Sequence, residues 1–332
     1  MQSAAEILSR AASGSLGLEG AREAALAILD GRLTEAQVAG ILAALAARGE
    51  RPEEIAGFAM GMMERAIRVD VDADLDIAGT GGDGLRTLNA STAAALLVAG
   101  PLRVFKHGNR SASGVSGSAD FLEALGYNVS AGPDVALRSL ERTGFAYAFA
   151  QVYHPAMRAV AGVRRQLGIR TIFNLLGPLT NPASPRARVI GVPSIGLMSK
   201  MAEAAAILGL EAAAFVHGEP GMDEVSPSGR TRVLLLRRGS MEELALEPEE
   251  MGIRRVDLEL LRVGGARESA SRFLAALRGR DDPALQLILA NAGVALWAAG
   301  RAGSPREGVE DAVEMLEGAE DRVRRAVEAS WA

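Results

Sequence analysis

The chain contains no cysteine. That removes structural disulfides, thiolate zinc sites and cysteine nucleophiles together, and it fits a reducing, cytoplasmic setting. Aromatic residues make up only 4% of the sequence, so base stacking along a nucleic acid strand would have few platforms. Positive charge is also short: the net charge is −5 at pH 7, which speaks against a general polyanion binder and makes any basic patch local. No window reaches the roughly 18 uninterrupted apolar residues of a membrane span, and the longest candidate, "ASTAAALLVAG", falls well short. The start, "MQSAAEILSR", lacks the basic segment and apolar run of a secretory signal. There is no G-x-S-x-G, and the three histidines have no metal-ligand spacing. With no nucleophile evident, the expected chemistry is one of positioning and charge stabilisation.

What is present is a 332-residue chain with 48% hydrophobic residues, enough for two domains or one large α/β domain. Residues 1–68 read as helices. Thr34 with Gln37 forms a capping-box pattern ahead of Val38, Ile41, Leu42 and Leu45 at helical spacing. Pro52, Glu53 and Glu54 are helix-start residues. From "LDIAG" onward, short apolar runs alternate with helical patterns: "RVFK", "NVS", "AYAFA", "RVIGV", "AAAFVHG" and "TRVLLLRRG". This predicts βαβ units and a mostly parallel central sheet flanked by helices. From about Ala266 the pattern is helical again. The segment 156–182 is broken by Gly-Pro and Asn-Pro and cannot be one regular element.

Three stretches carry chemistry. In "DIAGTGGDGLRTLNAST" a strand runs into Gly79, Gly81, Gly82 and Gly84, with a helix opening near Ser91. Backbone N–H groups in such a turn can approach an anion, and the helix start adds further donors. The Walker A spacing fails. The dinucleotide fingerprint lacks both its helix inside the motif and its later acid. The second stretch, "KHGNRSASGVSGSAD", offers Lys106, His107 and Arg110 as cationic donors, with hydroxyls and glycines behind them. Two anion-type loops after two strands of one sheet point to a ligand with more than one phosphate. In the third, Asp223 and Glu224 follow the strand "AAAFV" and suit magnesium bound to phosphates. Arg164, Arg165 and Arg170 are equal contenders for clamping a second anion. His217 either orients the acidic loop or packs.

Taken together, "DIAGTGGDG", "NAST", "KHGNRS" with "SGSAD", "HPAMR", "VRRQLGIRTIFNLLGPLTNP" and "DEVS" resemble the anthranilate phosphoribosyltransferase family over nearly the whole chain. The resemblance implies a helical domain over 1–70, joined by part of 156–182, and an α/β domain over 71–155 and 183–332. It implies the second step of tryptophan biosynthesis, in which anthranilate and 5-phosphoribosyl 1-diphosphate give N-(5-phosphoribosyl)anthranilate and diphosphate, with magnesium and as a homodimer. By the same resemblance, phosphoribosyl diphosphate is expected at Gly79, Gly82, Asp83, Thr87, Asn89, Ala90, Ser91 and Thr92. The second loop would add Lys106, His107, Gly108, Asn109, Arg110, Ser111, Ala112, Ser113, Gly114 and Ser118. Anthranilate would meet Gly79, Asn109 and Arg164, and Mg2+ would meet Ser91, Asp223 and Glu224. No acid or base is expected; Lys106, Asn109 and Arg164 would act by positioning. Two departures stand out. Gly114-Val115 replaces a serine and a basic residue, and Tyr153 stands where many members have histidine, with an expected effect on the anthranilate entrance. The alternatives are a pyrimidine nucleoside phosphorylase-like enzyme and a non-enzymatic paralogue binding nucleic acid.

Overall fold

Runs such as "LDIAG" and "ARVIG" are too short for a stable helix and rich enough in Ile, Val and Leu to be strands covered on both faces. In the computed structural model, which describes residues 3–111, 115–279 and 282–332, they pair as neighbours. The strands are β1 (Leu75–Gly79), β2 (Val104–Gly108), β3 (Phe145–Phe149), β4 (Ala187–Gly191), β5 (Ala212–Gly218), β6 (Thr231–Arg237) and β7 (Ser240–Leu246). They form one seven-stranded sheet in the order β3-β2-β1-β4-β5-β6-β7. The first five are mutually parallel, while β6 and β7 are antiparallel additions. The strand order reverses between β1 and β4, and in open sheets of this kind the crevice at that reversal, outside the carboxyl ends, takes ligands.

Alternate residues of each strand go to opposite faces. Leu75, Ile77, Val104, Phe145, Val189 and Val216 pack on one side in the largest core. The helices Ala90–Val98 and Ala284–Ala298 lie against that face, the second buried almost all round. On the other side, Ile190, Phe215 and Leu236 pack with the N-terminal helices α1 (Ala4–Ser13), α2 (Gly17–Leu29), α3 (Glu35–Arg48) and α4 (Pro52–Glu64). The same cluster takes in Val160, Val163, Phe173 and Leu176 of the 156–182 segment. That segment is a helix over Arg158–Leu167 ended by Gly168, one helical turn over Phe173–Leu176, a 3-10 turn over Gly177–Leu179 and an irregular end at Pro182.

The sequence-level helix signals hold in detail. Thr34 and Gln37 form a reciprocal capping box on α3, and Pro52 opens α4. Glu54 lies inside the bundle, where Arg48 and the Leu16 and Arg51 N–H groups satisfy it. Burial opposes its charge, yet those donors outweigh burial and hold its carboxyl below the usual range.

Two expectations fail. "NVS" is a turn, not a strand: the Asn128 N–H is taken by the Ser330 hydroxyl, and only Val129 is buried. The strand β7 was not foreseen, because "SMEELAL" is an edge strand whose residues are mostly exposed and show no apolar alternation.

Candidate active site

The carboxyl ends of β1, β2, β4 and β5 carry the chemistry-bearing stretches to one edge of the sheet. The first loop leaves β1 at Gly79 and takes left-handed backbone at Gly81, Gly82 and Gly84. The acidic loop crosses directly above it: a Cβ on Gly79 would stand 2.2 Å from the Asp223 carboxylate, so only glycine lets the two approach. Asp223 accepts the Gly81 N–H at 2.7 Å, and the Thr87 hydroxyl donates to Glu224 at 3.4 Å. Burial pushes Asp223 up to about 7, and the nearby Asp83 charge adds to the shift. Glu224 is raised well above the carboxylate range, first by burial and then by Asp223 and Asp83.

The first and second loops are joined by Asn89. Its amide donates to the Ser116 carbonyl at 3.2 Å, and its oxygen accepts the Ser116 hydroxyl at 2.9 Å. Ser269, from the helix Ala266–Leu277, reaches the same amide oxygen and also accepts the Asn89 N–H. Ala90, Ser91 and Thr92 form the first turn of the helix Ala90–Val98. The Thr92 hydroxyl is buried without a partner among the described residues.

The second loop differs from its expected character. Lys106 and His107 are strand residues of β2 and are buried. Lys106 Nζ donates to the Ile77 carbonyl. Burial pulls its pKa down, against the pull of Asp76 and Glu224. His107 is not a cationic donor. Burial brings its pKa down to about 4, and its Nδ1 lies 2.9 Å from the Gly177 carbonyl oxygen. Its backbone N–H donates to Asp76, which also accepts from Asn181 at 2.8 Å.

Arg110 is exposed but not free. It pairs with Asp120 at 2.8 Å and Glu123 at 2.6 Å, both on the helix Ser118–Ala124. Gly108 ends β2, and the Asn109 carbonyl accepts the Ser118 hydroxyl at 3.3 Å. Ser118 also shares a hydrogen bond with Tyr147. The Ser111 N–H lies 3.4 Å from Asp120. Ala112, Ser113 and Gly114 lie outside the described residues.

The three arginines separate in space. Arg164 is half-buried over the Phe173 ring at 5.8 Å, with no carboxylate partner among the described residues, and burial lowers its pKa. Arg165 is exposed. Arg170 donates to the Gly81 carbonyl at 2.6 Å and to the Thr80 carbonyl at 3.2 Å. His154 Nε2 lies 2.9 Å from the Thr180 carbonyl oxygen, and the ring stands beside His107, with 5.0 Å between centroids. His217 anchors β5 to Val192. Tyr153 is fully buried against Phe105, so it belongs to a core and not to an entrance. Asp76 and Asn181 carry no local signal that singles them out, and Arg170, a contender for an anion clamp, instead grips backbone carbonyls far away in the chain.

Residues 72–320 match the α/β domain of the glycosyl transferase family, and residues 6–66 match its helical bundle domain; fold and site thus define a two-part glycosyl transferase. The chain is 50% identical over 306 residues to an anthranilate phosphoribosyltransferase of Caldivirga maquilingensis, covering 91% of this chain and 90% of that protein. It is 46% identical to one of Metallosphaera sedula, covering 97% and 94%. The crystal structure of the Thermus thermophilus anthranilate phosphoribosyltransferase superposes with a TM-score of 0.91 at 44% identity, over 98% of this chain and 99% of that one. The Saccharomyces cerevisiae enzyme in complex with phosphoribosyl diphosphate and Mg gives 0.89 at 28% identity, over 99% and 98%. The chain belongs to the anthranilate phosphoribosyltransferases.

Proposed function

We propose that this chain transfers the 5-phosphoribosyl group of 5-phosphoribosyl 1-diphosphate to the amine of anthranilate, the second step of tryptophan biosynthesis. The observation that carries the reading is the meeting of two glycine-rich loops and a half-buried acidic pair on one sheet edge, joined through Asn89 and Asp223. In the first loop, the N–H groups of Gly82 and Asp83, with Thr87 and the Asn89–Thr92 turn, hold the phosphates. In the second, Lys106, His107, Gly108, Asn109, Arg110, Ser111 and Ser118 line the same ligand, with Ala112–Gly114 between them. His107 serves through its backbone and shape, since its ring is neutral.

The donor set fits magnesium. Asp223 and Glu224 are adjacent, half-buried and driven towards protonation by desolvation and by neighbouring negative charge, which a divalent cation would reverse. Among the described residues, no three acidic or histidine side chains already converge at metal-ligand spacing. That suits an ion that keeps waters and phosphate oxygens among its ligands. Ser91, Asp223 and Glu224 would hold it. When bound, it supplies positive charge to the leaving diphosphate.

Arg164, held over Phe173 and without a carboxylate of its own among the described residues, takes the anthranilate carboxylate, and Gly79 and Asn109 complete that site. The amine attacks the anomeric carbon as its bond to diphosphate breaks, and the nitrogen then loses one proton to solvent. Charge builds towards an oxocarbenium-like state at the anomeric carbon, so the chain's own work is to align the two substrates and to hold the departing phosphates. No side chain need remove a proton before attack.

The assembly is proposed as a cytoplasmic homodimer, built from a helical unit over 1–70 with part of 156–182 and an α/β unit over 71–155 and 183–332. Among the described residues, no helix is long and apolar enough to cross a membrane. The test is loss of anthranilate fluorescence in the presence of phosphoribosyl diphosphate and Mg2+. No loss at any substrate level, with turnover of a pyrimidine nucleoside and phosphate or tight oligonucleotide binding, would replace this reading.

A further inference from the structure

We infer that Arg170 is a positioning residue for the first glycine-rich loop: its guanidinium turns the Thr80 and Gly81 carbonyls inward and so aims the free N–H groups that follow at the ligand. The inference rests on the reading that this loop holds phosphoribosyl diphosphate.

The argument starts from the peptide group. A trans peptide is planar, with its C=O and N–H pointing in opposite directions. Arg170 Nη2 donates to the Thr80 carbonyl at 3.2 Å. The N–H of that same peptide, on Gly81, points the other way and is taken by Asp223 at 2.7 Å. Arg170 Nη1 donates to the next carbonyl, of Gly81, at 2.6 Å, so the N–H of Gly82 must also face away from Arg170. It has no acceptor among the described residues, and neither do the N–H groups of Asp83 and Gly84. Successive unpartnered N–H groups in a turn with left-handed residues form a concavity suited to an anion. Gly81, Gly82 and Gly84 all have positive φ.

The fit around Gly82 is close. A Cβ there would lie 1.5 Å from Arg170 Nη1, and the residue's φ is +93°, so a side chain at this position would be strained in its backbone and would push the guanidinium aside. Among the described residues Arg170 forms no ion pair, and its hydrogen-bond partners are the two neutral carbonyls alone. Two consecutive carbonyls call for a planar fork. A lysine ammonium, as a single point charge, cannot reproduce that geometry. The arginine comes from the segment that also carries Arg164, so the inference separates their duties: Arg164 for the second substrate, Arg170 for the shape of the phosphate loop.

The test is calorimetric titration of the full-length protein with phosphoribosyl diphosphate and Mg2+, without anthranilate, followed by steady-state kinetics. Arg170→Ala and Arg170→Met should weaken binding at least tenfold and raise the KM for phosphoribosyl diphosphate in step. The KM for anthranilate at saturating co-substrate should stay within threefold. Arg170→Lys should fall between, and millimolar guanidinium should restore part of the binding to Arg170→Ala. Binding within twofold of the parent protein in Arg170→Ala or Arg170→Met, or an equal rise of both KM values, overturns the inference. If both variants fail to fold, Arg170→Lys decides, and full retention of affinity there overturns it. If the parent protein consumes no anthranilate while the calorimetric loss persists, the transferase reading fails and the role of Arg170 stands. If turnover is normal and binding does not change, the reverse holds.

Discussion

The two glycine-rich loops sit side by side and are built on opposite plans. The first is held from outside: Asp223 and Arg170 grip its backbone from two distant parts of the chain. The second is held mainly by its own ends, with Arg110 closing onto Asp120 and Glu123, 10 and 13 residues ahead, and Ser118 returning to Asn109. Its root, Lys106 and His107, is buried in the sheet. A loop gripped by remote partners has its shape set by the fold as a whole. A loop closed largely on itself keeps a local shape and depends on the fold where its strand enters the core and where Ser116 meets Asn89 and Ser118 meets Tyr147.

Acid should break the comparison most strongly, because it attacks the root of the second loop. His107 and His154 have folded pKa values of about 4 and about 3, lowered chiefly by burial. Unfolded, they titrate near 6.5. Between these values the unfolded state binds more protons, so stability is complete above about pH 6.5 and falls as the pH drops towards 4. The loss is about 1.4 kcal/mol per pH unit for each histidine. Asp76, Asp223 and Glu224, raised above their ordinary values chiefly by burial, act in the opposite sense over the same window. The imidazole resonances of His107 and His154 at pH 7, 6 and 5 are therefore the direct reading; titration with a midpoint near 6.5 would mean that the pair is not buried neutral. Next, Gly79→Ala drives a Cβ into Asp223 and should cost at least about 100-fold in kcat/KM, in line with losing a charge-stabilising group. Activity within threefold of the parent would show that the acidic loop can yield.

Asn89→Ala cuts the link between the loops and leaves the Ser116 and Ser269 hydroxyls without their shared acceptor. A loss of roughly tenfold in kcat/KM, about 1.4 kcal/mol, is expected from the hydrogen bonds removed. An effect confined to thermal stability would make Asn89 a strut only. The smallest effect belongs to Glu123→Gln, which weakens the exposed end of the second loop. Such pairs are worth about 1 kcal/mol or less, so stability should move by no more than that. Raising the salt concentration should shrink the difference.

Much of this was legible from the residues. "LDIAG" and "AAAFVHG" announced strands, Thr34 and Pro52 announced helix starts, and the glycines of both loops announced tight backbone near an anion. Illegible were features whose cause lies far away in the chain. Nothing near "KHGNR" says that His107 is neutral; burial in the surrounding core decides it, against the pull of the Gly177 carbonyl. Nothing near "GIR" says that Arg170 meets a loop almost ninety residues back. The family resemblance places Tyr153 where many members have histidine and so near the anthranilate entrance, while its neighbours in space are Phe105 and the core.

By itself, then, the sequence determined which residue types stand after which strands: glycines where backbone must bend, hydroxyls and amides where a helix opens, and two acids after the fifth strand. Those depend on local sterics and on the alternation of apolar residues, which a short window contains. Only the tertiary structure decided charge states and which of three arginines meets which partner. Both depend on desolvation and close approach between segments that the chain keeps apart and the folded sheet brings together.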